Sequence, residues 1–319
     1  MATYKEIFGT NIEVVSSDPS NPVEGQIWYN TTSNVVKGLS NNPGSWATGG
    51  ALGTARYGAG GSGTQTAGMA FGGTPPSTGI TELYNGSSWT EVNDMNVAGH
   101  YFASAQGTQT STIAAGGQGA RDGGGNAETW NGTNWTAVAA LNTARIRLAG
   151  SGASNTSALA FGGEAGSATA ITELWNGSNW TEVTDLNNAR NFLNGAGTQT
   201  AALAVGGSPG PKNLTELWNG TNWTNVNTAN TARQNGGCSG TTSSTVWYGG
   251  DVPPVTGATE SWNGTNWTEV ADLNVSRRAI GGTGPSNGSA LAFGGSVPSK
   301  VASTEAWNAG PVTVTFDVS

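Results

Sequence analysis

Short runs of small apolar residues, broken by polar turns, fill this chain, and no stretch has helical period. A run such as Ala201-Ala202-Leu203-Ala204-Val205 ends in a Gly-Gly pair, Gly206-Gly207. The pair recurs at Gly72-Gly73, Gly116-Gly117, Gly162-Gly163, Gly249-Gly250 and Gly294-Gly295, so the six copies are 44, 46, 44, 43 and 45 residues apart. Other marks keep the same phase. An aromatic-Asn dipeptide stands at Tyr84-Asn85, Trp130-Asn131, Trp175-Asn176, Trp218-Asn219, Trp262-Asn263 and Trp307-Asn308. A Trp follows five residues later at Trp89, Trp135, Trp180, Trp223 and Trp267. Arg56, Arg145, Arg190, Arg233 and Arg277 precede the second Gly of their pair by 17 or 18 residues, and His100 takes that slot in the remaining unit. Glu82, Glu128, Glu173, Glu216, Glu260 and Glu305 each stand two residues before the aromatic.

Each unit predicts four short strands: one after the Arg, one ending in Gly-Gly, one ending in aromatic-Asn and one starting at the next Trp. Asn-Gly between the third and fourth strands predicts a hairpin, because both residues accept positive φ cheaply. That hairpin sets residues such as Trp175 and Trp180 opposite one another. Four strands in about 44 residues is the period of a propeller blade. The expected fold is therefore all-β, a β-propeller of four-stranded blades.

The Gly-Gly pair, the aromatic before the third turn, the Trp of the fourth strand and the Arg before the first resemble the kelch repeat family from Arg56 onward. The chain departs from the kelch pattern in having mostly Trp-Asn where Tyr with an acidic residue is usual. Seven blades are favoured and six are the alternative. In the seven-blade reading, residues 1–48 form a degenerate first blade with strands at 11–15, 25–29, 35–39 and 45–48. Residues 49–319 form six more, the last completing itself with Val312–Val318. In the six-blade reading Trp46 completes the ring and residues 1–40 form a separate attachment arm.

Composition narrows the function. Charged residues are only 10% of 319, and the net charge is −8, which disfavours nucleic acid as a partner. No run is long and apolar enough to span a membrane, and Met1–Thr10 has no signal-peptide core. One Cys and one His exclude an internal disulfide and a Cys/His zinc cluster. The same scarcity argues against the copper-radical chemistry that some kelch-like propellers carry. The Glu residues are too regular to mark one glycosidase pocket. The chain is therefore expected to be no enzyme and to need no cofactor or metal.

The recurring Arg and Glu are read as structural marks, predicted to meet inside or between blades. His100 is read as a variant of the Arg role, and Cys238 as a small core residue. The repeated Asn-Gly-Ser/Thr and Asn-Trp-Thr runs are read as turns, not glycosylation signals. The odd-to-even turns are near copies, but the loops after Gly-Gly differ from unit to unit. They carry Pro75, Pro76, Arg121, Asp122, Glu164, Lys212, Asp251, Pro253, Pro254 and Lys300, which mark a candidate ligand-binding loop face on a uniform scaffold.

Residues 18–34, running from Asp18-Pro19 through Gln26-Ile27-Trp28-Tyr29-Asn30 to Asn34, resemble a segment of bacteriophage tail-fibre and other virion proteins. The Gly-Thr-Gln-Thr and Asn-Gly-Thr-Asn-Trp runs resemble kelch-type repeats of marine phage structural proteins. The resemblance implies a virion protein made in the host cytoplasm, of tail-fibre or receptor-binding type, that meets host surface glycan or protein. It would be present as a homo-oligomer or in many copies, joined to other virion proteins through its N-terminal segment. A capsid or tail decoration protein and an intracellular kelch adaptor are the alternatives.

Overall fold

A computed structural model describes residues 12–104, 107–119 and 122–316. Among them the structure is all-β apart from one short 3-10 turn at Asp122–Gly124, and no helix is long and apolar enough to cross a membrane. Two compact units are present: residues 1–44 with 309–319, and Ser45–Asn308.

The larger unit is a succession of antiparallel four-stranded sheets, each strand pairing with the next in sequence. The first sheet is Gly60–Gly63, Gly68–Phe71, Thr81–Tyr84 and Trp89–Val92. The second runs from Ala103–Ser104 to Trp135–Val138, the third from Ala149–Ser154 to Trp180–Val183, the fourth from Asn194–Gly197 to Trp223–Val226 and the fifth from Gly237–Thr241 to Trp267–Val270. The sixth set begins with Gly281–Ser286 and Ser289–Phe293, continues with the start of Thr304–Phe316, and takes its outermost strand from the end of Val35–Gly49.

That last strand corrects one sequence expectation. Val312 to Phe316 runs on in the strand that starts at Thr304 and makes no separate fourth strand, Asp317 and Val318 lying outside the described residues; the outermost strand is the one that holds Trp46. The Trp46 ring lies 5.3 Å from Trp307, as Trp175 lies 5.3 Å from Trp180 and Trp130 lies 5.6 Å from Trp135. Among the described residues, the strands expected at 35–39 and 45–48 are one continuous strand, Val35–Gly49, so the segment up to Gly49 holds three strands where four were expected. Glu13–Val15 pairs in parallel with Ile27–Asn30, which pairs antiparallel with the start of Val35–Gly49.

First strands of consecutive sheets lie side by side, from Gly60–Gly63 through Ala103–Ser104, Ala149–Ser154, Asn194–Gly197 and Gly237–Thr241 to Gly281–Ser286, which lies against Gly60–Gly63 again. Their small residues follow from this crowding. A Cβ on Gly61 would come within 2.3 Å of the Gly282 carbonyl, and one on Gly195 within 2.5 Å of the Gly150 carbonyl.

Tryptophan fills the wider spaces between sheets, and each buried indole N–H has an acceptor. Third-strand tryptophans bond within their own sheet: Trp130 donates to the Gln109 carbonyl at 3.1 Å and Trp175 to Asn155 at 2.9 Å. Fourth-strand tryptophans reach the preceding sheet. Trp135 donates to Thr81 Oγ1, Trp223 to Thr172, Trp267 to Thr215 and Trp46 to Thr259, at 2.9–3.2 Å. Trp89 of the first sheet donates to Thr304 of the sixth at 2.9 Å. Where the second sheet has Ala127 in the threonine position, Trp180 turns to the Ala139 carbonyl at 3.1 Å.

The hairpin between the third and fourth strands sets its two aromatics opposite one another, as expected of Trp175 and Trp180. Trp130 pairs with Trp135, so four residues make the loop. Only Gly132 has positive φ, at 97°. Asn131 serves through its side chain, whose Oδ1 accepts the N–H groups of Thr133 and Asn134 at 2.9 Å.

Candidate binding site at the loop-bearing end

The five recurring arginines are 0–1% exposed, and each meets the glutamate of its own unit. Arg56 lies 2.6 Å from Glu82, Arg145 3.1 Å from Glu173, Arg190 3.0 Å from Glu216 and Arg233 2.8 Å from Glu260, and Arg277 contacts Glu305. Burial pulls these guanidinium groups below their ordinary range at Arg56, Arg145 and Arg190, and to about 10 at Arg233, with the glutamate charge opposing the shift. Each carboxylate also accepts the N–H of the residue three before the Arg, as Glu216 accepts that of Asn187 at 2.7 Å. The clamp therefore fixes the chain just before the first strand.

His100 does not occupy an Arg position. The residue after each Arg bridges to the residue after Gly-Gly, as Tyr57 does to Thr74 and Gln234 to Asp251. In the second unit that bridge is His100 with Gln118. Gly99 therefore stands in the Arg slot. Phe102 fills the vacated volume: a Cβ on Gly117 would lie 2.8 Å from its ring, where one on Gly73 would lie 2.9 Å from Arg56. Glu128 is left without an arginine and accepts instead from Asn96 N, Asn96 Nδ2 and Val97 N at 2.7–2.9 Å. His100 bonds Ser77 Oγ at 3.1 Å. Burial, aided by the charge of Arg147, lowers its pKa and so favours the neutral ring.

Two residues past each Arg slot the backbone turns left-handed. Gly58, Tyr101, Arg147, Phe192, Asn235 and Ala279 have φ between 50° and 67°. For Tyr, Arg and Phe this conformation is unfavourable and must be held by its surroundings. Main-chain bonds between units hold it. The N–H of Gly58 donates to the Ala279 carbonyl, Ala279 to Asn235, Asn235 to Phe192, Phe192 to Arg147 and Tyr101 to Gly58, at 2.7–2.9 Å. The repeat thus delivers one residue per unit to a common mouth.

The mouth opens into a cavity of about 660 Å³ lined by Tyr57, Tyr101, Phe192, Gln234, Asn235 and Arg278 among others. A narrower space of about 100 Å³ is lined by first-strand glycines and by Tyr101 and Phe192 again. Tyr101 and Phe192 meet edge to face at 5.5 Å, and the Arg147 guanidinium lies 4.7 Å over the Phe192 ring.

Of the residues expected on the loop face, Pro75, Asp251 and Lys300 line this cavity. Asp251 pairs with Arg278 at 2.6 Å, and Lys300 Nζ donates to the Pro75 carbonyl at 2.9 Å. Glu164 does not line it but holds Arg147 at 2.8 Å. Pro76, Pro253 and Pro254 are exposed on their loops, Lys212 is half-buried with its backbone bridged to Arg233, and none of these lines the cavity. Asp122 sits in the 3-10 turn, and Arg121 lies outside the described residues. The loops after Gly-Gly therefore furnish the rim. The centre comes from the left-handed position, which sequence reasoning missed although its variability, two residues past a constant Arg, is visible in the chain.

Among the described residues no group of three or more His, Cys, Asp or Glu side chains is placed to hold a metal ion. Cys238 is buried in the core beside Trp247 and Trp267. No protein-family model matches the chain, and no curated protein matches it.

Proposed function

We propose that the larger unit is a closed, six-bladed, kelch-like propeller, and that it is the non-enzymatic recognition head of a bacteriophage virion protein of tail-fibre type. Cyclic order supports closure: first strands, indole bonds and left-handed residues all link the sixth sheet back to the first. Trp46, paired with Trp307, supports six blades over seven.

One observation carries the recognition reading. In a repeat whose Arg, Glu, Gly-Gly and Trp marks barely change, the position aimed at the mouth holds six different residues, Gly58, Tyr101, Arg147, Phe192, Asn235 and Ala279. A uniform frame with a varied concave centre is the layout of a binding protein. Asp251, which lines the cavity, and Glu164, which does not but holds Arg147, are each committed to an arginine, which favours binding over acid–base catalysis. The virion assignment rests on the resemblance of residues 18–34, and the unit built from both ends of the chain is assigned to joining other virion proteins in many copies.

Labelled protein added to a panel of bacterial cells tests the reading. Adhesion to some strains is expected, and Tyr101→Asn with Phe192→Asn abolishes it, while Ser178→Ala in a turn of the opposite end leaves it intact. Asn suits the left-handed backbone, so the double variant removes rings without unseating the chain. Adhesion that survives the double variant rejects the mouth as the contact surface. Protein found in phage particles but adhering to no cell favours a decoration role, and absence from particles rejects the virion assignment.

A further inference from the structure

We infer that the mouth binds a carboxylate-bearing sugar unit of an acidic polysaccharide. This deepens the recognition reading and rests on it.

Charge is the first ground. The protein carries −8 overall. Within Ser45–Asn308, the described cations outside the five buried pairs are Arg147, Lys212, Arg278 and Lys300. Arg147, Arg278 and Lys300 stand at the mouth or its rim, and Lys212 lies in a loop that follows Gly-Gly. Exposed acids such as Glu91, Glu182 and Glu269 lie instead on fourth strands. Three of these four cations thus stand at one concave place, where Glu164 and Asp251 offset the two arginines and Lys300 leaves an excess of positive charge. Lys300 gives its hydrogen bond to a neutral carbonyl, which leaves the charge uncancelled. Asp251 steadies Arg278 through one nitrogen, and the Arg278 side chain is still 45% exposed, so its fork can take a second carboxylate.

The second ground is a need for donors as well as acceptors. Gln234 lines the cavity, and its Oε1 is buried with no hydrogen-bond partner. A buried acceptor of this kind is costly unless the ligand brings a donor. A simple inorganic anion without an O–H group brings none. A sugar acid brings both, a carboxylate for Lys300 and Arg278 and hydroxyls for Gln234 and Asn235. The third ground is shape. Tyr57, Tyr101 and Phe192 provide ring surface for the C–H face of a pyranose, and about 660 Å³ is within the ordinary range of small-ligand sites.

A glycan array read with the full-length protein is the test. It carries uronate and nonulosonate glycans, their neutral counterparts of the same backbone, and hexose phosphates. Carboxylated glycans are expected to bind about tenfold above their neutral counterparts, with the preference shrinking several-fold as salt rises from about 50 to about 500 mM. Lys300→Met removes the preference for the acid, Gln234→Leu weakens acidic and neutral glycans alike, and Tyr101→Asn abolishes both; unchanged thermal unfolding verifies that each variant folds. No carboxylated glycan above its neutral counterpart, a preference that survives Lys300→Met, or binding of phosphates alone overturns the inference. Cell adhesion through the mouth with none of these sugars bound keeps the recognition reading and removes this one. Sugar binding by a protein absent from phage particles keeps this one and removes the virion assignment.

Discussion

At the scale of single residues, the Arg–Glu clamp is the costliest feature of the repeat and the one that aims its variable side chain. Removing one partner of a buried ion pair leaves the other charge stranded, at about 3–5 kcal/mol. The second unit indicates which end of that range applies. Glu128 is 2% exposed and has no arginine, yet three donors from Asn96 and Val97 satisfy it. Glu216 has similar donors from Asn187, at 2.7 and 2.8 Å, besides Arg190. Arg190→Met is therefore expected to cost about 3 kcal/mol, the low end. Adding Glu216→Gln restores much of this, because the amide keeps an acceptor for Asn187 and carries no charge. Urea-denaturation midpoints of the two variants measure it. A double variant no more stable than the single one means that the stranded charge is not what the loss consists of.

At the scale of elements, the sheet of the smaller unit turns on one carboxylate. Asp18 Oδ1 accepts from Trp28 Nε1 at 3.0 Å and Asn30 Nδ2 at 2.7 Å, and Oδ2 pairs with Lys37 at 2.8 Å. The bonds from Lys37, Trp28 and Asn30 hold its pKa at about 2 against an ordinary 3.8. A depressed folded pKa gives stability that is complete above the ordinary value and lost as pH falls towards the folded one. The indole N–H resonance of Trp28 is thus expected to hold steady down to about pH 4 and then to shift with a midpoint at about pH 2. In Asp18→Asn that shift disappears; a midpoint near 3.8 in the parent protein would contradict the assignment. The strands and their pairing were legible in the sequence wherever the marks were local, as with Trp175 opposite Trp180. His100 was placed one residue out of phase because the Arg-to-Gly-Gly interval itself varies between 17 and 18. The outermost strand of the sixth sheet, with Trp46, stood only in the less favoured six-blade reading, for a different reason. Trp46 bonds to Thr259, 213 residues away, and no local pattern encodes such a partner. The centre of the mouth hid behind its own variability, since a repeat is found by what stays the same.

At the scale of the whole molecule, closure makes a claim that an open row of sheets does not. Trp46 and Trp180 hold equivalent places, 6% and 5% exposed, each stacked on a third-strand tryptophan and bonded to the preceding sheet. In an open row the sixth sheet is an end. Its outer strand could fray while the rest stood, so Trp46→Ala would add a small early transition and leave the main one in place. A closed ring has no end sheet. Loosening any seam there exposes the faces of two neighbours, and the chain unfolds as one unit. Each of Trp46→Ala and Trp180→Ala is therefore expected to cost about 3–5 kcal/mol, the usual loss for a large buried side chain, and to lower the midpoint of a single transition by a similar amount. Calorimetry of the two variants beside the parent protein makes the comparison. A main transition unchanged in Trp46→Ala but depressed in Trp180→Ala would mean that the sheets do not close, and the shared mouth proposed as the binding site would lose its geometric basis.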